Sequence, residues 1–404
     1  MTRPAYDFTR PVDRSTSHSL KWSGPPGELP MWLADMDFPA APEIVDAIRA
    51  RADSGLFGYT LLDEEYAHAL SAWWTRRHGF AVAADWVVYC AGVLPAVSSL
   101  LRRMTAPGDQ VVVLPPVYHV FFELITGNGR RVLPSDLRYD GTEYRIDFAD
   151  LERKLAASRT RVLLFCNPHN PTGNLWDAPA LERIGELCAR HDVLVVSDEI
   201  HGDLTTPGHA YTPFASVSPL CARTSVTCVS PTKTFNLAGL QTGALLVPDP
   251  ALRAAVARGL HADWIGYPNV FAADATIAAY AHGERWLDGL RAVVTANRRR
   301  ATRFLADEVP ELRVVASDAT YLMWIDCAAL TDDTEHLCAF LRDRTGLHLS
   351  AGAEFRGNGS RFVRVNVACQ PVRLEDALGR LRAGVHAYRS EHSSVPSTTL
   401  PLGP

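Results

Sequence analysis

Lysine is nearly missing from this sequence. Lysine and arginine together number 40, yet only Lys21, Lys154 and Lys233 are lysines. Arginine takes over most surface roles of lysine, but its guanidinium stays charged and forms no Schiff base. A lysine kept in such a chain is therefore a candidate for amine chemistry. Long apolar runs are missing as well. No stretch approaches the roughly 20 residues that cross a bilayer, and the polar start, MTRPAYDFTRPVDRSTSHS, lacks the apolar core of a signal peptide. No C-x-x-C pair occurs among the eight cysteines, and Cys166, Cys228 and Cys327 lie within apolar runs. They read as reduced core thiols of a cytoplasmic protein. Neither sign of charge dominates, and a net charge of -5 gives no footing for nucleic acid or a membrane surface. There are no internal repeats.

What is present is an ordinary globular composition, 47% hydrophobic and 21% charged over 404 residues, enough for a large core and a second lobe. Residues 1–41 read as an extended arm joined to part of a small domain. Within them Asp35 and Asp37 are expected as turn or capping residues ahead of a helix at Pro42–Arg51. From there to residue 285 helix and strand signals alternate. Helices are predicted at Glu64–His78, Leu94–Met104, Phe148–Ala157 and Pro179–His191. Strands are predicted at Trp86–Tyr89, Gln110–Leu114, Arg161–Phe165, Val193–Ser197, Ser225–Val229 and Gly243–Val247. That alternation is the pattern of an α/β domain with a mostly parallel sheet. Residues 286–391 change to an α+β pattern, hence a small C-terminal domain, and 392–404 read as a disordered tail.

The chemistry sits at the predicted strand ends, where open α/β sheets bind ligands. Strand Ser225–Val229 runs into Ser230-Pro231-Thr232-Lys233, and Pro231 stops the ladder. From this segment alone, amine chemistry and a chance lysine in a turn are equally served. A second strand ends in Cys166-Asn167-Pro168-His169-Asn170-Pro171-Thr172-Gly173, whose Asn-Pro steps impose a non-helical loop. A third ends in Asp198, a carboxylate that needs a cationic partner if buried. Alone, Asp198 reads more readily as one half of a structural ion pair. Together with Asn170 and Lys233 it points to pyridoxal phosphate (PLP), which needs a lysine, a carboxylate for its ring nitrogen and a donor to its phenolic oxygen. Tyr118 can supply a ring over the pyridine. Gly92-Val93-Leu94 opens a helix whose N–H groups can hold phosphate, and Ser230 can add a hydroxyl.

These motifs resemble the fold-type I PLP enzymes of the aminotransferase class I/II family. WLADMDF (32–38), PVYHVFF (116–122), CNPHNPTG (166–173), SDEIHGD (197–203), KTFNLAGLQT (233–242) and TYLMWIDC (320–327) are similar to its MalY/PatB-type cysteine–sulfur β-lyases. The resemblance covers residues 5–388. It implies a seven-stranded, mostly parallel sheet and a homodimer with shared sites. It also implies that Lys233 carries PLP and moves the Cα proton, with Asp198 on the ring nitrogen, Asn170 on the phenolic oxygen and His201 close by. Tyr118 would stack on the ring and serve as a second catalytic group. Gly92, Val93, Leu94 and Ser230 would hold the phosphate, joined by Tyr59 of the second copy. Arg364 would take the substrate carboxylate, with Ala34 and Asp35 lining the pocket.

The implied reaction is α,β-elimination of cystathionine or another cysteine S-conjugate to a thiol, pyruvate and ammonia. Transamination and decarboxylating oxidative deamination are the alternatives. Gln241 stands where transaminases place a phosphate-binding arginine, as in the lyases. Lys21-Trp22-Ser23 and Phe355-Arg356-Gly357 depart from the Lys-Trp-Asp and Phe-Gly common in that branch. Ser230-x-x-Lys233 also matches the pair of penicillin-recognising hydrolases, but their Lys-Thr-Gly strand is absent. His119, His169 and His201 show no metal-ligand spacing, so no metal is expected.

Overall fold

A computed structural model describes residues 6–14 and 17–392. The predicted tail falls outside these residues except for His392, which closes the last helix. Seven strands make the main sheet: β1 (Val87–Cys90), β2 (Gln110–Val113), β3 (Arg131–Pro134), β4 (Thr160–Cys166), β5 (Leu194–Asp198), β6 (Ser225–Val229) and β7 (Gly243–Leu246). Their order is β1-β7-β6-β5-β4-β2-β3. All neighbours run parallel except β7, which is antiparallel to both β1 and β6. Six strands match the predicted positions to within one residue at either end. The seventh, β3, was not among the individual strands read from the sequence, because Arg131–Pro134 is a half-exposed edge strand ending in proline.

Helices cover both faces, as the near-continuous apolar strands require. They are α1 (Pro42–Asp53), α2 (Glu64–His78), α3 (Val93–Met104), α4 (Val120–Gly127), α5 (Phe148–Leu155), α6 (Ala178–Arg190), α7 (Pro219–Arg223), α8 (Pro231–Thr234), α9 (Pro250–Ala262) and α10 (Val270–His282). Successive residues of β4 divide between the two layers. Val162 and Leu164 join the core with α3, whereas Leu163 and Phe165 pack with α6. Helix α2 shows why the ends are legible: Asp63 accepts the N–H of Glu65 at its start, and Gly79 ends it at φ 62°. Lys154, partly exposed, lies on α5. Helices α4, α7, α8, α9 and α10 were not read from the sequence, and Lys233, expected in a turn, lies on α8. Helix α10 is so alanine-rich and buried that it has no polar face to mark a period.

Residues beyond α10 form α11 (Glu284–Glu308), α12 (Thr334–Thr345), α13 (Pro371–His392) and a second, antiparallel sheet. Its strands are β8 (Arg313–Val314), β9 (Leu322–Asp326), β10 (Ser350–Ala351) and β11 (Phe362–Asn366), in the order β8-β9-β11-β10. The N-terminal segment joins this region, since Leu29–Pro30 pairs in parallel with Leu347–His348.

Asp35 and Asp37 do not cap α1, whose N-cap is Ala41. Asp37 is instead buried among cations, with Lys21 Nζ at 3.0 Å, Arg373 at 3.3 Å and Arg14 at 3.4 Å, and it accepts from the Trp22 indole at 2.9 Å. Lys21 is itself only 1% exposed. A carboxylate and an ammonium buried together satisfy each other, and here they pin residues 31–38 against the second sheet.

Candidate active site

The carboxyl ends of β1, β2, β4, β5 and β6 lie along one edge of the main sheet, and each delivers part of the site. Helix α8 begins at the end of β6. Ser230 caps it by accepting the Thr232 N–H, and one turn later Lys233 points its amine at the Ala34 carbonyl, 2.6 Å away. Burial lowers the Lys233 amine to about 8; Asp35 and Asp198 oppose the shift and Arg364 adds to it. An amine shifted this way keeps an appreciable neutral fraction near physiological pH, the form that attacks a carbonyl.

Asp198 ends β5. It is 5% exposed and accepts the Ile200 N–H at 3.2 Å, and among the described residues it makes no ion pair. Desolvation raises its carboxyl to about 6, against the pull of the Ile200 N–H and Lys233. His201 is buried, with its Nδ1 unpartnered. Burial foremost, then the Lys233 and Arg364 charges, lowers its ring to about 3. The imidazole is therefore neutral.

Arg364, on β11, is 3% exposed and makes no ion pair among the described residues. It donates to Asn170 Oδ1 at 3.0 Å and to the Trp32 carbonyl at 2.9 Å, and its Nε has no partner. With its oxygen taken, Asn170 has its NH₂ left to donate. The loop carrying Asn170 turns at Gly173 (φ 72°), where a Cβ would meet the Ala319 carbonyl at 2.8 Å. Tyr118 follows β2 beside this group. Burial raises its phenol, and the Arg364 charge opposes the rise.

Gly92 stands at φ 104° as the N-cap of α3, with no side-chain cap, so the Val93 and Leu94 turn opens on the sheet edge with bare N–H groups. Ser230 reaches the same edge because β6 and β1 flank β7, where Gly243 pairs with Cys90. Its hydroxyl proton goes to the Thr242 carbonyl at 2.6 Å, and the Thr232 hydroxyl lies 2.8 Å away. Two expected groups differ in what they present. Ala34 contributes its carbonyl, and the Asp35 carboxylate pairs with Arg14 at 3.0 Å. Tyr59 is fully exposed on the single chain.

Three groups around the site were missed in the sequence. Tyr321, 1% exposed, donates to the same Ala34 carbonyl at 3.2 Å and packs its ring against His201. Asp203 accepts from the Thr234 hydroxyl at 2.8 Å, from Trp73 Nε1 at 3.0 Å and from His78 Nε2 at 2.9 Å, anchoring the residue next to Lys233. Tyr321 and Asp203 lie inside the quoted motifs TYLMWIDC and SDEIHGD, which were used only as markers of resemblance.

The third is Glu199, whose Oε1 accepts from Ser197 and the Phe214 N–H, while Oε2 and the adjacent Asn167 Oδ1 are both unpartnered. Burial raises this carboxyl from 4.5 to about 8, so it is protonated at neutral pH, and a proton on Oε2 supplies the donor that Asn167 Oδ1 lacks. The native state thus keeps a proton that the unfolded chain releases above 4.5. Wild-type stability falls relative to Glu199→Gln as pH rises from about 4.5 to 8, then levels off. Melting curves of the two proteins at pH 5, 7 and 9 check this; a difference independent of pH would refute it.

The chain fits a PLP-sized group by unmet needs among the described residues: a buried carboxylate outside any ion pair, an amide NH₂ left to donate, an uncapped helix start and a buried guanidinium outside any ion pair. Comparison with known proteins agrees. The family model "Aminotransferase class I and II" matches residues 33–381. Cystathionine beta-lyase PatB of Bacillus subtilis (strain 168) is 40% identical over 385 residues, 94% of this chain and 100% of that protein. Protein MalY of Escherichia coli (strain K12) is 32% identical over 95% of this chain and 100% of its own length. The crystal structure of cystalysin from Treponema denticola, which contains pyridoxal 5'-phosphate, superposes with a TM-score of 0.91 at 32% identity, covering 95% of this chain and 100% of that one. With the fold, the strand-end constellation and a family match across most of its length, this chain belongs to the aminotransferase class I and II family.

Proposed function

We propose that the protein is a PLP-dependent carbon–sulfur β-lyase that converts an L-cysteine S-conjugate and water to a thiol, pyruvate and ammonium. One observation carries the reading: Lys233, with its amine lowered to about 8, stands beside both an unpaired buried carboxylate and an unpaired buried guanidinium. Lys233 would hold PLP covalently, with Asp198 at the ring nitrogen, the Asn170 NH₂ at the phenolic oxygen, Tyr118 against the ring face and His201 beside it. The N–H groups of Gly92, Val93 and Leu94 would hold the phosphate, and the Ser230 hydroxyl would turn from the Thr242 carbonyl to join them. When bound, PLP stabilises the negative charge left on Cα after its proton is removed.

The rest falls to the chain. Arg364 takes the substrate carboxylate as a bidentate pair, and this fixes Cα toward Lys233. The Lys233 amine, once free, accepts the Cα proton. The C–S bond breaks with its electron pair on sulfur, and the proton held by Lys233 or by the Tyr118 hydroxyl completes the thiol. Cystathionine beta-lyase PatB matches 94% of this chain along the whole of its own length, which favours elimination over transamination, as do His201 and Gln241.

A homodimer is part of the proposal. Leu56, Phe57, Tyr59 and Leu61 are each at least 60% exposed on the single chain, an apolar stretch that a second copy would cover. Tyr59 would then reach the partner's phosphate site. A reducing, cytoplasmic setting suits eight cysteines that are all buried free thiols.

The test is a product assay of the yellow holoenzyme on cystathionine and other cysteine thioethers. Thiol, pyruvate and ammonia are expected in equal amounts without an added keto acid. Keto acid formed only when an acceptor keto acid is supplied would favour transamination, and carbon dioxide release would favour oxidative deamination.

A further inference from the structure

We propose that Arg356 determines substrate specificity by receiving a carboxylate on the sulfur substituent, so that carboxylated thioethers are preferred over S-alkyl cysteines; this rests on the lyase reading above. The first observation is the backbone. Arg356 sits at φ 60° and ψ -161°, a region that glycine enters freely and other residues hardly at all. A long cationic side chain kept there is held against local preference, and such outliers concentrate at ligand sites.

The second observation is where this residue is held. The carbonyl of Phe355 accepts the Val117 N–H at 3.0 Å, which ties the loop to the residue before Tyr118. The Phe355 ring lies 4.7 Å from the Arg364 guanidinium and 5.7 Å from the His119 ring. On the other side a Cβ on Gly357 would come within 3.2 Å of Pro115 and Pro116, so the loop is packed tightly against the Tyr118 segment. Arg356 thus directly follows a residue in contact with the proposed carboxylate ligand.

The third observation is the side chain itself. The guanidinium rests 5.9 Å from the Phe122 ring, one helical turn beyond Tyr118, and the residue is exposed. It makes no ion pair among the described residues. Glu123 and Glu354 lie close in sequence to this contact, and their charges reach Tyr118 and Arg364 respectively. One exposed guanidinium outside any ion pair among the described residues, with two carboxylates near it in sequence, suits a substituent carrying both a carboxylate and an ammonium group. Arg364 would bind the α-carboxylate at the floor, and Arg356 the distal one at the mouth. A guanidinium's planar fork matches a carboxylate at either place.

The test compares holoenzyme and its Arg356→Gly and Arg356→Lys variants on S-carboxyethyl-cysteine and S-propyl-cysteine, which are similar in size and differ in charge. Glycine suits this backbone, so R356G should melt no lower than wild type. R356G is expected to lower kcat/KM for the carboxylated substrate about 10- to 100-fold, the worth of one charge-assisted pair, acting mainly through KM. S-propyl-cysteine should change far less, and R356K should fall between. Thiodipropionate, which has two carboxylates and no amine to react, gives a binding readout; its inhibition constant should rise about tenfold in R356G. Equal losses on both substrates, or an unmoved inhibition constant, would overturn the role of Arg356. Absence of thiol and pyruvate from both substrates with wild type would instead sink the lyase reading.

Discussion

Replacing Lys233 with alanine should cut thiol release from any cysteine thioether by at least about 10⁴-fold, because in the proposed mechanism one side chain both anchors the cofactor and moves the proton. The geometry leaves no substitute. Lys21 is locked in its ion pair with Asp37, and Lys154 lies on α5, away from the sheet edge that carries the site. Lys233→Arg keeps the positive charge and should be as inactive, since guanidinium forms no Schiff base. Small primary amines added to K233A should restore part of the rate. Borohydride reduction of the wild-type holoenzyme followed by peptide mapping should place the label on Lys233; a label on Lys21 or Lys154 would defeat the assignment. The lowered amine adds a pH signature. Its neutral form dominates above about 8, so PLP uptake by the apoenzyme should accelerate up to that pH and flatten beyond it. An ordinary lysine would keep accelerating uptake to beyond pH 10.

Asp198→Asn is expected to lose about 10³-fold in turnover, the size of loss that the proposed contact to the ring nitrogen would carry. In the protein alone this carboxyl is raised from 3.8 to about 6 by burial. The folded apoenzyme therefore holds a proton that the unfolded chain has lost, and this contribution to its stability declines as pH rises from about 4 to 6. A protonated ring nitrogen would let Asp198 ionise and remove that decline. The melting temperature gained on adding PLP should then grow from pH 4 to 6 in wild type and stay level in D198N. Equal gains in both proteins across that range would mean that Asp198 does not face the ring nitrogen.

Sequence made the strand-end residues readable because each is announced locally. Pro231 halts β6 just before Lys233, the Asn-Pro steps bend the chain at Asn170, and an apolar run delivers Asp198 at its last position. What stayed hidden depends on neighbours remote in the chain. Asp37 looked like a turn residue because nothing nearby reveals that Lys21 and Arg373 converge on it. Tyr321 reaches Ala34 only once the second sheet docks. Asp203 needs Trp73 and His78 from α2 to become an anchor. Strand β3 was obscured by its exposed edge, and α10 by its even hydrophobicity. The departure at Phe355-Arg356-Gly357 was visible as an oddity, but its meaning rests on a backbone angle that composition does not carry.

The scarcity of lysine also has a practical side. Lys21 is sealed in the interior and Lys233 would be occupied by the cofactor, which leaves Lys154 as the one side-chain amine open to reagents in the folded enzyme. Amine-directed dyes or resins would therefore grip every molecule at the same point on α5, apart from the chain's first amino group, and immobilised enzyme would display a nearly uniform orientation.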